Sequence, residues 1–364
     1  HLKIAWIQPL NTHTNKIKIK ADRDIVRMTL KYKILSGLFG LMLLLIALII
    51  YMLQPSGKVQ DFQPWLYQPA ETAPAGYTVK FFGVSTLLFD DGQQQLLIDG
   101  FFSRPSLSQL MFGQINSQPI VIEHAIELHQ LQRTQAILVT HSHYDHALDV
   151  PLLSQLLPQA KIIGSPSTLN IARGAHLPES QLQQLVPLQP MQIGNFTVTA
   201  FPSQHTPPTA VNNDLGEEIQ QPLSLPARFS EFKEGHSFDY LIEYQGHKSL
   251  VKASTGFIPE QLKPLQVDHL FLGIAQLSRQ PEQYQQQYLA ETLQRLKPKV
   301  LIPIHWDDFF QPPEQPLQFL PHLADNTPKS LNTVISAAAQ QQTQVLLLDQ
   351  PYAYPLMTAT AVAR

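Results

Sequence analysis

The stretch ILVTHSHYDHALDVP, residues 137–151, places His141, His143, Asp145 and His146 within six positions, directly after a short apolar run. Imidazole and carboxylate are the side chains that hold zinc, iron or manganese where no thiolate is available. In an extended segment residues i and i+2 point the same way, so His141 and His143 can face one cation. Asp145 and His146 then fall in a turn or helix start and can face a second. This constrains the fold strongly, because any further ligands must be carried to the same place by distant parts of the chain. A polar loop with coincidental histidines is the bland alternative, and the density of ligand-type residues at a strand end argues against it.

The chain has no cysteine, which excludes disulfides, zinc–thiolate sites and thiol nucleophiles. Its 364 residues, 44% hydrophobic and only 15% charged, suffice for a sizeable core in one large domain or two small ones. A net charge of −3 gives no general reason to expect a nucleic-acid partner. Proline is abundant, at 30 residues, but it is scattered among apolar runs, unlike the composition of a disordered chain.

Residues 34–53, ILSGLFGLMLLLIALIIYML, form a run of twenty without a charge. As a helix rising about 1.5 Å per residue, the run spans roughly the 30 Å of a bilayer's hydrocarbon. It is longer than a signal-peptide core, and QPSGKVQ after it shows no small-x-small cleavage pattern, so an uncleaved anchor is expected. Lys16, Lys18, Lys20, Arg23, Arg27, Lys31 and Lys33 precede the run, whereas only Lys58 follows closely. The positive-inside bias then leaves residues 1–33 in the cytoplasm and the large C-terminal part on the extracytoplasmic (in a bacterium, periplasmic) side. Met28 opens a conventional basic leader, MTLKYK, and residues 1–27 are expected to be an upstream extension outside the working protein.

Residues 54–76 are Pro-rich and read as a tether. Strand patterns begin at Tyr77, with turns expected at Asp91 and Gly92 and at Gln245 and Gly246. AILVT (136–140), KIIGS (161–165), FTVTAF (196–201), VDHLFLGIA (267–275), KVLIPIH (299–305) and TQVLLLD (343–349) read as further strands. Helices are expected around 106–132, 146–157 and 281–296, the last opened by Pro281 and stopped by Pro298. Interleaved strands and helices with hairpins indicate a mixed α/β sandwich over 77–350, helices outside, followed by a tail at 351–364.

The sequence HSHYDH resembles the signature H-x-H-x-D-H of the metallo-β-lactamase fold superfamily, and the resemblance extends over about residues 77–350. It implies an αββα sandwich with the site at one edge where the two sheets meet. His205 in FPSQHTPP matches the third ligand of a first metal, beside His141 and His143. His305 in LIPIHWDDF matches the late histidine of a second metal, beside Asp145 and His146. Asp99 in LLIDG matches an aspartate that supports the site without binding metal. Hydrolases of the family usually carry a bridging aspartate in a GDTG-like turn, but VKASTGF puts Ser254 there. This arrangement is similar to the third subclass of true metallo-β-lactamases, which holds two zincs, and to lactonase-like and phospholipase-D-like members. Di-iron members place a carboxylate at the second motif position, where this chain has His143.

The resemblance therefore implies two zinc ions, with manganese or iron as alternatives and the occupancy of the second site dependent on Ser254. Three protein ligands per cation leave a coordination position for water, the pattern of a catalytic site. A cation lowers that water's pKa to about 7, so hydroxide can attack a carbonyl or phosphoryl centre. Asp145 would orient it. The expected activity is metal-dependent hydrolysis of an ester, lactone, phosphodiester or amide near the membrane, on a small-molecule or lipid-like substrate, and not on nucleic acid. The competing reading is a non-catalytic membrane-tethered module that binds metal or ligand.

Weaker expectations attach to other residues. Asp307 and Asp308 could orient ligands or protonate a leaving group. His236 lies in the long Pro-rich stretch 206–237, a lid or an insertion, and is a candidate substrate contact. Ser254 lacks a G-x-S-x-G elbow and is no nucleophile. His124, His129, His176, His247, His269 and His322 fit no ligand spacing.

Overall fold

A computed structural model describes residues 12–72, 74–209, 213–312 and 317–358. The chain divides into two units, His1–Gln54 and Pro55–Arg364.

The first unit is one helix, α1 (Thr12–Leu53), about 63 Å long at the α-helical rise. Within it Lys20–Leu53 is long and apolar enough to cross a membrane, and none of its most apolar window is buried. The helix runs back through the basic stretch instead of starting at Ile34. The first eleven residues, part of the stretch 1–27 expected to be extraneous, lie outside the described residues.

The second unit has fourteen strands among the described residues: β1 (Gly76–Phe81), β2 (Leu87–Asp90), β3 (Gln95–Ile98), β4 (Thr134–Leu138), β5 (Lys161–Gly164), β6 (Leu182–Gln184), β7 (Met191–Ile193), β8 (Phe196–Ser203), β9 (Ser237–Tyr244), β10 (His247–Lys252), β11 (His269–Gly273), β12 (Val300–Ile304), β13 (Gln344–Val345) and β14 (Tyr354–Thr358). Its helices are α2 (Leu107–Phe112), α3 (Pro119–His129), α4 (Tyr144–Ala147), α5 (Val150–Leu156), α6 (Pro166–Gly174), α7 (Glu282–Leu289) and α8 (Thr327–Gln340). One sheet runs β14-β1-β2-β3-β4-β5-β6 and the other β13-β12-β11-β10-β9-β8-β7.

Strands of the first sheet read as unbroken apolar runs because both of their faces are covered. Leu96 and Ile98 of β3 point into the core between the sheets, and Leu97 between them points outward under the helices. In β4, Ala136 and Leu138 point in while Ile137, and Val139 just past the strand's end, point out. The outward residues pack with Ile122, Val150, Leu153 and Ile171 of α3, α5 and α6. Leu289 of α7 and Leu331 and Val334 of α8 join the other core. The result is the αββα sandwich. Each fully buried side chain such as Phe89 contributes about 1.5–3 kcal/mol by leaving water.

Two stretches fold differently from expectation. In the Pro-rich stretch 54–76, Val59–Trp65 forms a 3₁₀ helix with Val59 and Phe62 buried. Val59, Phe62 and Trp65 recur every third residue, which lines one face of a three-residue turn. At the other end, Tyr354–Thr358 of the presumed tail pairs antiparallel with β1 and covers an edge that would otherwise be open. The expected strand at 343–349 shortens to β13, after which Leu347 pairs with Leu66. Helices α6 and α8 are not among the expected elements; Ser165 and Asn326 cap them, accepting from the amides of Thr168 and Lys329.

Candidate metal centre

Strand direction collects the ligands. β3 and β4 are parallel, so Asp99 and the loop 140–143 leave the first sheet at the same end. In the second sheet β8 and β10 each pair antiparallel with β9, and β10, β11 and β12 are parallel. β8, β10 and β12 therefore run the same way, and His205, Ser254 and His305 follow their ends at one edge.

The structure brings the six residues of the sequence reading into two groups, His141 with His143 and His205, and Asp145 with His146 and His305. Within each group the offered ligand atoms all lie within 4.8 Å of one another. Ring centroids in the first group stand 4.9 Å (His141–His143), 4.7 Å (His141–His205) and 4.7 Å (His143–His205) apart. His141 and His146, one from each group, are at 3.8 Å. In the second group the Nε2 atoms of His146 and His305 are each 3.5 Å from Asp145 Oδ2.

The donor set fits a metal. The buried Nε2 atoms of His141 and His146 have no hydrogen-bond partner, an arrangement that costs free energy in a protein interior unless something binds there. The 3.5 Å separations are long for hydrogen bonds and close to the roughly 3.4 Å between two donors on one tetrahedral cation with ~2.1 Å bonds.

The surroundings fix which nitrogen each ring presents. His146 Nδ1 lies 2.8 Å from Asp99 Oδ2, which turns Nε2 toward the site. Asp99 also accepts from the Thr140 amide at 2.7 Å and the Thr140 hydroxyl at 3.0 Å, and from the Ser85 hydroxyl. It sits at φ 56°, a left-handed conformation that aspartate tolerates. Asp99 thus stands behind His146 and belongs to neither three-residue group. Ser85 was missed by the sequence reading; it also stands 2.9 Å from His146 Nδ1, and two hydroxyl residues inside an apolar hairpin (VSTLL) were the available signal.

Asp214 was missed as well. Both of its carboxylate oxygens are 3.2 Å from His143 Nε2, leaving Nδ1 of that ring for the site. Its burial opposes ionisation, but His143 and the Glu234 amide more than offset this and lower its pKa. It belongs to the stretch 206–237, whose described residues are tied down by ordinary hydrogen bonds. Ile219 N bonds Ser167 Oγ, the Ser142 amide donates to Glu234 O, and Ile115 and Ala227 exchange backbone bonds. His236 in the same stretch is exposed and pairs with Glu218 at 2.8 Å, in neither ligand group.

The remaining candidates separate clearly. Asp307 is fully buried, accepts from the Val84 amide at 2.7 Å and pairs with Arg104 at 3.0 Å, so it is a structural anchor. Val84 in turn accepts the His305 amide at 2.6 Å from φ 52°, strained for a β-branched residue. Gly83 cannot be replaced here, since a Cβ would strike Arg104 and Asp307. Asp308 accepts from the Phe310 amide, and burial raises its carboxyl pKa. Ser254 Oγ is buried without a partner, and Thr255 beside it bonds Thr206 at 2.9 Å, tying this turn to the His205 loop.

Electrostatics differ between the groups. Burial, then repulsion among the imidazoles, drives His141 well below its ordinary pKa and His205 down to about 3. For His146 burial acts the same way, but the carboxylates of Asp145 and Asp99 overcome it and raise the pKa. Burial disfavours the Asp145 carboxylate, yet His146 and His305 hold its pKa below the usual range.

Fold and site together define a metal-dependent hydrolase of the metallo-β-lactamase fold. The family model described as Beta-lactamase superfamily domain matches residues 94–306, more than half of the chain, and the protein belongs to that superfamily. Among solved structures, the chain is similar to Igni18, a metallo hydrolase from the archaeon Ignicoccus hospitalis (14% identity, 76% of this chain and 97% of that one, TM-score 0.46). It is similar to the metallo-β-lactamase fold protein YhfI from Bacillus subtilis (15%, 76% and 99%, TM-score 0.46). An isothiocyanate hydrolase from Delia radicum gut bacteria gives 13%, 78% and 100%, with TM-score 0.47. No curated protein matches the chain.

Proposed function

We propose that this hydrolase is held at a membrane by residues 34–53, with its domain on the extracytoplasmic side. There it cleaves a small-molecule or lipid-like ester, lactone, phosphodiester or amide, and not nucleic acid. The carrying observation is the pair of three-residue groups that meet at one sheet edge, where His141 and His146 stand 3.8 Å apart. Each group offers three ligands, which is the number that leaves room for water or substrate. The cations these groups would hold, with zinc the best match to an N/O donor set, supply Lewis acidity and a water nucleophilic at neutral pH.

The chain's own residues do the rest. Asp145, kept ionised between two imidazoles, accepts the hydrogen bond that orients the attacking water. Asp99 and Asp214 hold His146 and His143 in the tautomers that present the correct nitrogens. Asp308, with its raised carboxyl pKa, is the group suited to return a proton to the leaving atom, whereas Asp307 is committed to Arg104. Phe309 stands edge-on to His305 at 5.7 Å with Phe310 tilted against it at 4.6 Å, and both are half-buried. These rings favour an apolar group beside the second half-site. The side assigned to the domain rests on the basic residues preceding the span.

The test is metal analysis of the purified full chain, followed by assay on bis-p-nitrophenyl phosphate, a lactone and nitrocefin with His141→Ala alongside. Turnover that disappears in the variant supports the reading. Bound metal without turnover on the whole panel would instead favour a binding module, for which the buried, unpartnered Ser254 is the one structural argument.

A further inference from the structure

Between Arg104 and Glu123 the chain carries no charged residue, and Met111 (62% exposed), Phe112 (84%) and Ile120 (82%) project from this excursion into solvent. Scattered surface apolar residues are ordinary. Three large ones this exposed on one uncharged segment are not, and such a surface marks an interaction site. The segment is well anchored, so the exposure is not that of a loose loop. Leu110 and Ile115 are buried, Ser106 caps α2, and Gln118 donates to Ser103 through both its backbone and its side chain.

Its position within the domain identifies the partner. The excursion leaves β3 just after Asp99, at the metal-site edge. Arg104 donates to Phe82 O at 2.6 Å and to Asp308 O at 3.3 Å, two and three residues from Val84 and His305. The domain begins at Pro55 on the same side: Pro55 bridges Pro321, Ser56 N donates to Leu320 O, and Asp308 N donates to Gln318 O. One residue, Gln54, separates Pro55 from the end of α1, a few ångströms of chain. The residues around Pro55 are thus joined to α1 by a single residue of chain.

We propose that Met111, Phe112 and Ile120 form a second membrane contact, an apolar tip that enters the lipid interface and turns the metal-site edge toward the bilayer. This rests on the membrane-anchored reading of α1. No Lys or Arg lies between Arg104 and Arg133, so the contact works by apolar insertion and not by attraction to anionic headgroups. A substrate reaching the site from that side is amphiphilic.

The absence of cysteine allows the test in the full chain. Phe112→Cys and Ile120→Cys would each carry a single environment-sensitive fluorophore, with Gln93→Cys, in the β2–β3 turn at the far end of β3, as control. The chains are reconstituted in phosphatidylcholine–phosphatidylethanolamine vesicles and floated. The labels at 112 and 120 should emit blue-shifted, be quenched several-fold more by nitroxide-bearing lipid than the label at 93, resist iodide, and be unchanged by added salt. A chain that floats with labels 112 and 120 as open to iodide as label 93 overturns the contact while leaving the anchor intact. Blue-shifted labels beyond reach of the lipid nitroxide mean a protein surface covers the tip, and also overturn it. A chain that does not float overturns the anchored reading and the contact together.

Discussion

The two halves of the metal centre stand 3.8 Å apart at His141 and His146 yet meet a cation in opposite electrostatic states. His141, His143 and His205 offer three nitrogens and no negative charge, and burial with mutual repulsion keeps His141 and His205 from holding a proton. Asp145, His146 and His305 include a carboxylate and an imidazole that the carboxylates make more basic. At His141 and His205 protons compete little with a metal; the second half attracts metal more strongly by charge, but a proton competes for His146 up to a pH above its ordinary range. Its Ser254 adds no further charge.

The largest effect that separates the halves comes from removing a nitrogen of the first. His141→Ala should lower turnover by more than about 100-fold, beyond what loss of a supporting partner costs, and metal analysis should show the first cation missing. Asp99→Asn acts on the second half through His146 and should cost roughly 10- to 100-fold in affinity for that cation alone, read by competition with a chelator. Equal loss from both halves would show that the groups do not bind independently.

Ser254→Asp tests whether charge limits the second half. A carboxylate near 4 Å at an effective dielectric of about 20 attracts by a few kcal/mol before desolvation, so roughly tenfold tighter second-site binding is expected. No change would mean that Ser254 Oγ points away from the cation. Acidification should deplete the second half first. Below the raised pKa of His146 each cation bound there displaces a proton, so affinity falls about tenfold per pH unit, while at His141 and His205 the neutral forms persist to lower pH. Calorimetry in two buffers of different ionisation enthalpy would show proton release for the second cation and little for the first. The smallest effect is expected for Asp214→Asn, a few-fold on the first half, because Asp214 is partly solvated and an amide can still hold His143 Nε2.

Much of this centre is legible from local pattern. HSHYDH follows a strand and enters a helix, so its four ligands divide by geometry alone. His205 and His305 come from the family resemblance, each in a matching stretch at the end of an apolar strand. Asp214 and Ser85 are not legible: neither lies at a strand end in a motif, and each matters only because a particular imidazole nitrogen falls beside it. Asp307 and Asp308 are equivalent in sequence, and only the buried guanidinium of Arg104, paired with Asp307, separates them.

The sequence by itself determined the apolar helix, the alternation of buried strands and the choice of six ligand-type residues, because these depend on periodicity and on side chains that metal chemistry favours. Tertiary structure decided what depends on contacts between distant segments. It made the Pro-rich stretch part of the core and the tail an edge strand. It aligned β8, β10 and β12 so that their ends share one edge with Asp99, and it shifted His141 and His146 in opposite directions, by burial at the first and by neighbouring carboxylates at the second, which no single stretch of sequence encodes.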